Sequence, residues 1–186
     1  MDQSPDSYRQ RRRLGASIAE LPFVLLVIFI FLFFPLLNLT TATVRTWFLR
    51  SAVLDAAHNA AKACTYGTHL PATEDDSECF SAVELANNTL NKFIQTFAGV
   101  SMTSAQVYVV RQTIAGGVAT TYPPGPIPKS DIQPDANVYF IEVAFKGEAQ
   151  PFLTVPFFSN VPGLGGPMPV NITGRETFEN VEGLSQ

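Results

Sequence analysis

The longest unbroken pattern in the chain is Leu21–Leu37, where every residue is apolar. Its 17 residues make a helix of about 26 Å at 1.5 Å per residue, close to the roughly 30 Å of a bilayer core. A core helix of that length normally carries a polar stripe. This run carries none, so the pattern predicts a transmembrane helix, which the weakly polar Asn38, Thr40, Thr41 and Thr43 can extend. Pro22 falls early in it, where a missing N–H costs little. Pro35 falls deep, and predicts a kink or a locally loosened hydrogen-bond ladder. Positions 44–63 keep a helical rhythm, so one helix is expected from about residue 18 to residue 63. Its outer half offers Val44, Trp47, Phe48, Ala52 and Leu54 as apolar surface. Trp47 suits either a membrane interface or packing on an outer domain.

Past a turn at Tyr66-Gly67, apolar residues from Val83 to Phe97 recur at steps of three and four, predicting a second helix over 81–97 that Gly99 can end. Alternation and β-forming residues predict strands at 106–113, 138–145 and 170–178. Phe152–Val155 is a weaker strand candidate, flanked by Pro151 and Pro156. Gly116-Gly117 and Gly147 read as turns, and the proline-rich stretch 120–135 as a loop. Two helices followed by strands predict an α+β fold with an antiparallel sheet of three or four strands. Phe152, Phe157 and Phe158 sit in Pro/Gly-rich sequence, where they either cap the sheet or form an exposed partner patch.

Charge orients the span. Arg9, Arg11, Arg12 and Arg13 cluster before the apolar run; residues 1–15 carry +2, and the rest of this −4 chain carries −6. Basic residues on the N-terminal side place that end in the cytoplasm and the bulk outside. The organisation that follows is a basic leader at 1–15, a span at 16–40 and an outer domain at 41–186. The mild net charge gives no reason to expect nucleic acid as a partner, whereas membrane lipid is expected as one. A cleaved secretory signal fits poorly: the run is longer than such regions, and Pro35-Leu36-Leu37-Asn38 offers no small-residue cut site.

The other flank offers a different cut. It reads Gly15-Ala16-Ser17-Ile18-Ala19-Glu20, a small residue after a basic stretch and an acid at the lip of the apolar run. A carboxylate is costly there and needs a partner. Cleavage after Gly15 would expose an amine on Ala16, one helical turn from Glu20. Between stacked subunits, the Glu20 of one could meet the amine of the next. The plainer alternative is an interfacial acid on an uncut anchor.

The basic run, this block, the long apolar helix and the Ala-rich stretch Ala52–Cys64 resemble the N-terminal region of TadE-like pseudopilins of the tight-adherence pilus, a branch of the type IV pilin group. The likeness carries some specificity over about a third of the chain; the remainder is similar only in outline. It implies that a prepilin peptidase cuts between Gly15 and Ala16, leaving Glu20 as the fifth mature residue. It further implies a bacterial inner-membrane protein with its bulk outside, working with other pilin or pseudopilin subunits and an inner-membrane assembly platform towards surface adhesion. Pilins often begin with Phe; this chain would begin with Ala16, as TadE-like chains commonly do, which favours a minor subunit.

Cys64 and Cys79 are the only cysteines, and both fall outside the cytoplasm in this topology. A disulfide is the natural expectation. Metal binding fits less well, because the spacing is not C-x-x-C, although His58, His69 and the acidic run Glu74–Glu78 are near. The sequence lacks the G-x-S-x-G, H-E-x-x-H and phosphate-loop motifs. The expectation is therefore a structural subunit without a cofactor rather than an enzyme. The alternative is an uncleaved single-pass anchor whose outer domain binds an envelope partner.

Overall fold

The structure is a computed structural model describing residues 21–70, 79–154 and 158–186. The arginine cluster, the Gly15–Ala16 bond, Glu20, the acidic run Glu74–Glu78 and Phe157 lie outside the described residues. The fold is α+β: a long N-terminal helix, a second helix and a four-stranded antiparallel sheet.

Helix α1 runs Leu21–Ala61. It contains one π turn, Phe29–Phe33, in which the Phe34 N–H donates to the Phe29 carbonyl five residues back. The cause stands two residues on. Pro35 has no N–H, and its ring would clash with the carbonyl four residues earlier; widening the preceding turn relieves both. Past Pro35 the ladder returns to α geometry through Ala61.

The two halves of α1 have different surroundings. Residues 21–33 are almost wholly exposed, and this helix is long and apolar enough to cross a membrane. Further along, Leu49, Ala52, Val53, Ala56, Ala57, Ala60 and Ala61 are buried, a stripe at helical period. The sequence offers several apolar residues here without choosing among them, and the stripe makes the choice. Of Val44, Trp47, Phe48, Ala52 and Leu54, only Ala52 faces the core, and Trp47 is 65 % exposed. The large side chains point away because the helix lies close to the sheet: a Cβ on Gly174 would stand 2.7 Å from the Val53 carbonyl oxygen. Alanine is what fits such an approach.

Helix α2, Ala82–Thr96, begins with an N-cap: the Ser81 hydroxyl accepts from the Glu84 N–H at 3.2 Å. It ends at Phe97, and Gly99, at φ +81°, reverses the chain. The strands are β1 (Val100–Thr113), β2 (Thr120–Thr121), β3 (Asn137–Ala149) and β4 (Met168–Thr177), in the order β2-β1-β3-β4. Along β3, Tyr139, Ile141, Val143 and Phe145 are buried on the face that α1 and α2 cover. The predicted turn at Gly147 does not occur. Gly147 is paired inside β3 with Met102 and Val170, beside a bulge between Met102 and Ser104. A Cβ there would sit 2.2 Å from the Ser101 carbonyl oxygen, so the glycine marks a close backbone approach. Residues 152–154 form a bend rather than a strand.

The outer end of α1 is closed by covalent and polar ties. Cys64 and Cys79 form a disulfide with Cα atoms 5.9 Å apart, within the usual range. The loop closed is 15 residues long, a length for which chain entropy gives about 3 kcal/mol. Tyr66 donates to the Val107 carbonyl at 2.6 Å and accepts from the Gly125 N–H at 3.0 Å. The C-terminal residues return to the same place. Leu184 is buried and Gly183 abuts the Cys64 carbonyl.

Candidate functional site

The candidate site is the apolar half of α1 together with the segment between β3 and β4 that lies along it. The apolar run Leu21–Leu37 is followed by Asn38, the first side chain along it with hydrogen-bonding groups. The threonines that follow satisfy themselves: the Thr40, Thr41 and Thr43 hydroxyls donate to the carbonyls of Leu36, Leu37 and Leu39 at 2.9, 2.9 and 2.8 Å. A hydroxyl returned to its own helix imposes little penalty in an apolar setting.

Asn38 behaves differently. It is fully buried, and its carboxamide is filled by main chain from 115 and 126 residues away. Nδ2 donates to the Leu153 and Leu164 carbonyls, each at 2.6 Å, while Oδ1 accepts the Leu153 N–H at 2.8 Å. One side chain therefore clamps both arms of the β3–β4 connection to the helix. Two turns on, the Arg45 guanidinium donates to the Gln150 carbonyl and, at 3.3 Å, to the Pro151 carbonyl. Arg45 also lies against Gly99 so closely that a Cβ there would overlap it. Seven positions below Asn38, Phe158 meets Phe31 edge to face, with centroids 6.4 Å apart.

Neither of the described aromatic residues of this connection caps the sheet. Phe158 packs on the helix, and Phe152 is 58 % exposed. On another side of α1, Arg45, Phe48, Phe93 and Phe97 line a shallow groove of about 290 Å³. Phe97 stacks on Phe93 at 4.4 Å and on Phe48 at 5.4 Å. Trp47 stays outside that stack apart from an edge contact with Phe48. It occupies the exposed face of α1 just beyond the apolar run, as a residue at a membrane interface would.

Titratable groups are sparse in this region. His69 Nδ1 lies 3.1 Å from Glu84 Oε2, and among the described residues no three of His, Cys, Asp and Glu converge. Among the described residues, the two shifted groups are at the outer end. Burial pushes the Tyr66 phenol above its ordinary value, partly opposed by the Gly125 N–H. Burial also raises Tyr122, with Arg111 opposing.

Sequence reasoning placed the cysteine pair and the long apolar helix, but it missed Asn38 and Arg45 as clamps. The available signal was a lone carboxamide closing an apolar run; the main-chain partners it holds have no side-chain signature. Comparison of the chain with protein families, with curated proteins and with solved structures finds no match.

Proposed function

We propose that this chain is a minor, TadE-like pseudopilin: a non-enzymatic subunit that takes part in assembling a tight-adherence pilus of the type IV group, used for surface adhesion. In this reading it crosses the bacterial inner membrane once, with the Arg9–Arg13 cluster in the cytoplasm and the bulk outside. A prepilin peptidase cuts between Gly15 and Ala16. Glu20 then pairs with the Ala16 amine of an adjacent subunit as the chain passes from the assembly platform into a filament.

The observation that carries the reading is the division of α1. A single helix presents a bare apolar half and then buries an alanine stripe against its own sheet. The bare half needs a nonpolar surrounding, which lipid supplies before assembly and neighbouring helices supply afterwards. The π turn before Pro35 adds support, because a widened turn can adjust when that surrounding changes.

The test is Glu20→Ala. Loss of sheared surface filaments with unchanged membrane levels of the subunit is the expected result; undiminished filaments contradict it. A second reading, an uncleaved anchor whose outer domain binds an envelope partner, draws support from the Asn38 clamp. The clamped connection covers one side of the apolar helix and leaves less of it for neighbours.

A further inference from the structure

From Ala149 to Gly174 the chain has no Asp, Glu, Lys or Arg, the longest uncharged stretch beyond the span. Its described parts track α1 closely. Gln150 and Pro151 lie at Arg45, Leu153 at Asn38, Phe158 at Phe31, and Leu164 again at Asn38. The connection thus descends the helix from position 45 to position 31 and climbs back. Fourteen positions correspond to about 21 Å of helix. Phe31 lies well inside Leu21–Leu37, so whatever surrounds that run also surrounds Phe158.

We infer that the β3–β4 connection enters the outer leaflet of the bilayer beside α1, as a second membrane contact whose occupant is lipid. The inference rests on α1 being a membrane span. Three observations make lipid the fitting surrounding. First, large apolar side chains face outward: Phe152, Leu153 and Val161 are exposed, interspersed with the small polar Thr154, Ser159 and Asn160.

Second, the irregular backbone pairs many of its own donors, which a low-polarity setting favours. The Val161 N–H donates to the Phe158 carbonyl at 2.9 Å, and the Gly163 N–H to the Gly166 carbonyl at 2.9 Å. The N–H groups of Leu164, Gly165 and Gly166 converge on the Val161 carbonyl at 3.1–3.2 Å. Pro151, Pro162 and Pro167 have no N–H to lose, and Asn38 takes that of Leu153. Third, the tight glycines let the segment stay slim. A Cβ on Gly165 would stand 2.5 Å from the Phe158 carbonyl, and one on Gly166 2.6 Å from that of Ser159.

The test uses the full chain with Trp47→Phe as background, reconstituted in phosphatidylcholine vesicles whose acyl chains carry bromine, a contact quencher of indole. Single reporters are Phe158→Trp, the already exposed Phe152→Trp, Ile28→Trp in the span, and Val118→Trp. Val118 is 94 % exposed in the turn beyond the far end of β1, roughly 40 Å from Val100 at 3.3 Å per residue. The expected result is loss of most emission from Phe158→Trp and Phe152→Trp, as from Ile28→Trp, with Val118→Trp unquenched. If Ile28→Trp is quenched while both connection reporters keep aqueous emission, the inference is overturned and the span stands. Blue-shifted but unquenched emission from the two reporters assigns the surface to a second copy of the chain and also overturns it. An unquenched Ile28→Trp removes the span itself.

Discussion

Asn38 and Leu153 are joined twice: the Leu153 N–H donates to Oδ1 at 2.8 Å, and Nδ2 donates back to the Leu153 carbonyl at 2.6 Å. This reciprocal pair, with the further bond to Leu164, fixes the β3–β4 connection to the helix two turns from the Arg45 contact with Gln150 and Pro151. Asn38→Leu keeps approximate volume and removes all three bonds. Buried unpaired main-chain groups cost about 1–3 kcal/mol each. The expected outcome is selective loosening: faster proteolysis within 150–167 at unchanged helix content. Circular dichroism combined with limited digestion in detergent checks it, and equal digestion of both forms contradicts it.

The approach of α1 to β4 gives a sharper steric test. A Cβ on Gly174 meets the Val53 carbonyl at 2.7 Å, whereas one on Gly67 meets nothing within 4 Å. Overpacking of this kind costs about 1–3 kcal/mol. Gly174→Ala is expected to lower the denaturation midpoint of the outer region clearly, and Gly67→Ala to leave it almost unchanged. A matched pair of urea titrations compares them.

The Cys64–Cys79 bond ties the end of α1 to the entry of α2. Replacing both cysteines by serine is expected to cost about 3 kcal/mol, the chain-entropy value for a loop this short. Unfolding of the oxidised protein with and without reductant gives the same comparison without mutation. Coincident curves would show that the bond does not restrain the chain.

Stability should also fall at alkaline pH. The Tyr66 phenol is raised above 10.0 by burial. A raised folded value means that its stabilisation is complete below pH 10 and is lost as pH climbs through the folded value. Tyr66→Phe strips the Gly125 N–H and the Val107 carbonyl of their partner. It should therefore be less stable at neutral pH, yet lose less on going above pH 10. Urea midpoints at pH 8 and above pH 10 for both forms measure this, and parallel losses would exclude Tyr66 as a source.

The main elements were legible because each has a period or a punctuating residue. The apolar run, the α2 rhythm ended near Gly99, and the alternation in β3 are local signals that tertiary structure left in place. What stayed hidden depends on distance across the fold. The alanine face of α1 went unmarked in sequence because Val44 and Phe48 carry more apolar surface than an alanine. Only the closeness of Gly174 explains why Ala52, Ala56 and Ala60 are the buried residues. Gly147 reads as a turn by residue type, but its absent Cβ answers the Ser101 carbonyl on the neighbouring strand. Asn38 reads as a weakly polar extension of the span, since a carboxamide does not reveal in sequence whose backbone it holds.

The central claim is that a carboxylate at the mouth of the apolar helix is balanced by an amine that cleavage exposes. Its most direct measurement is the intact mass and N-terminal sequence of the protein extracted from native membranes or filaments. The account predicts a chain that begins at Ala16, with Glu20 fifth. A working protein that retains Met1 to Gly15 would contradict it and leave the tethered outer domain in its place.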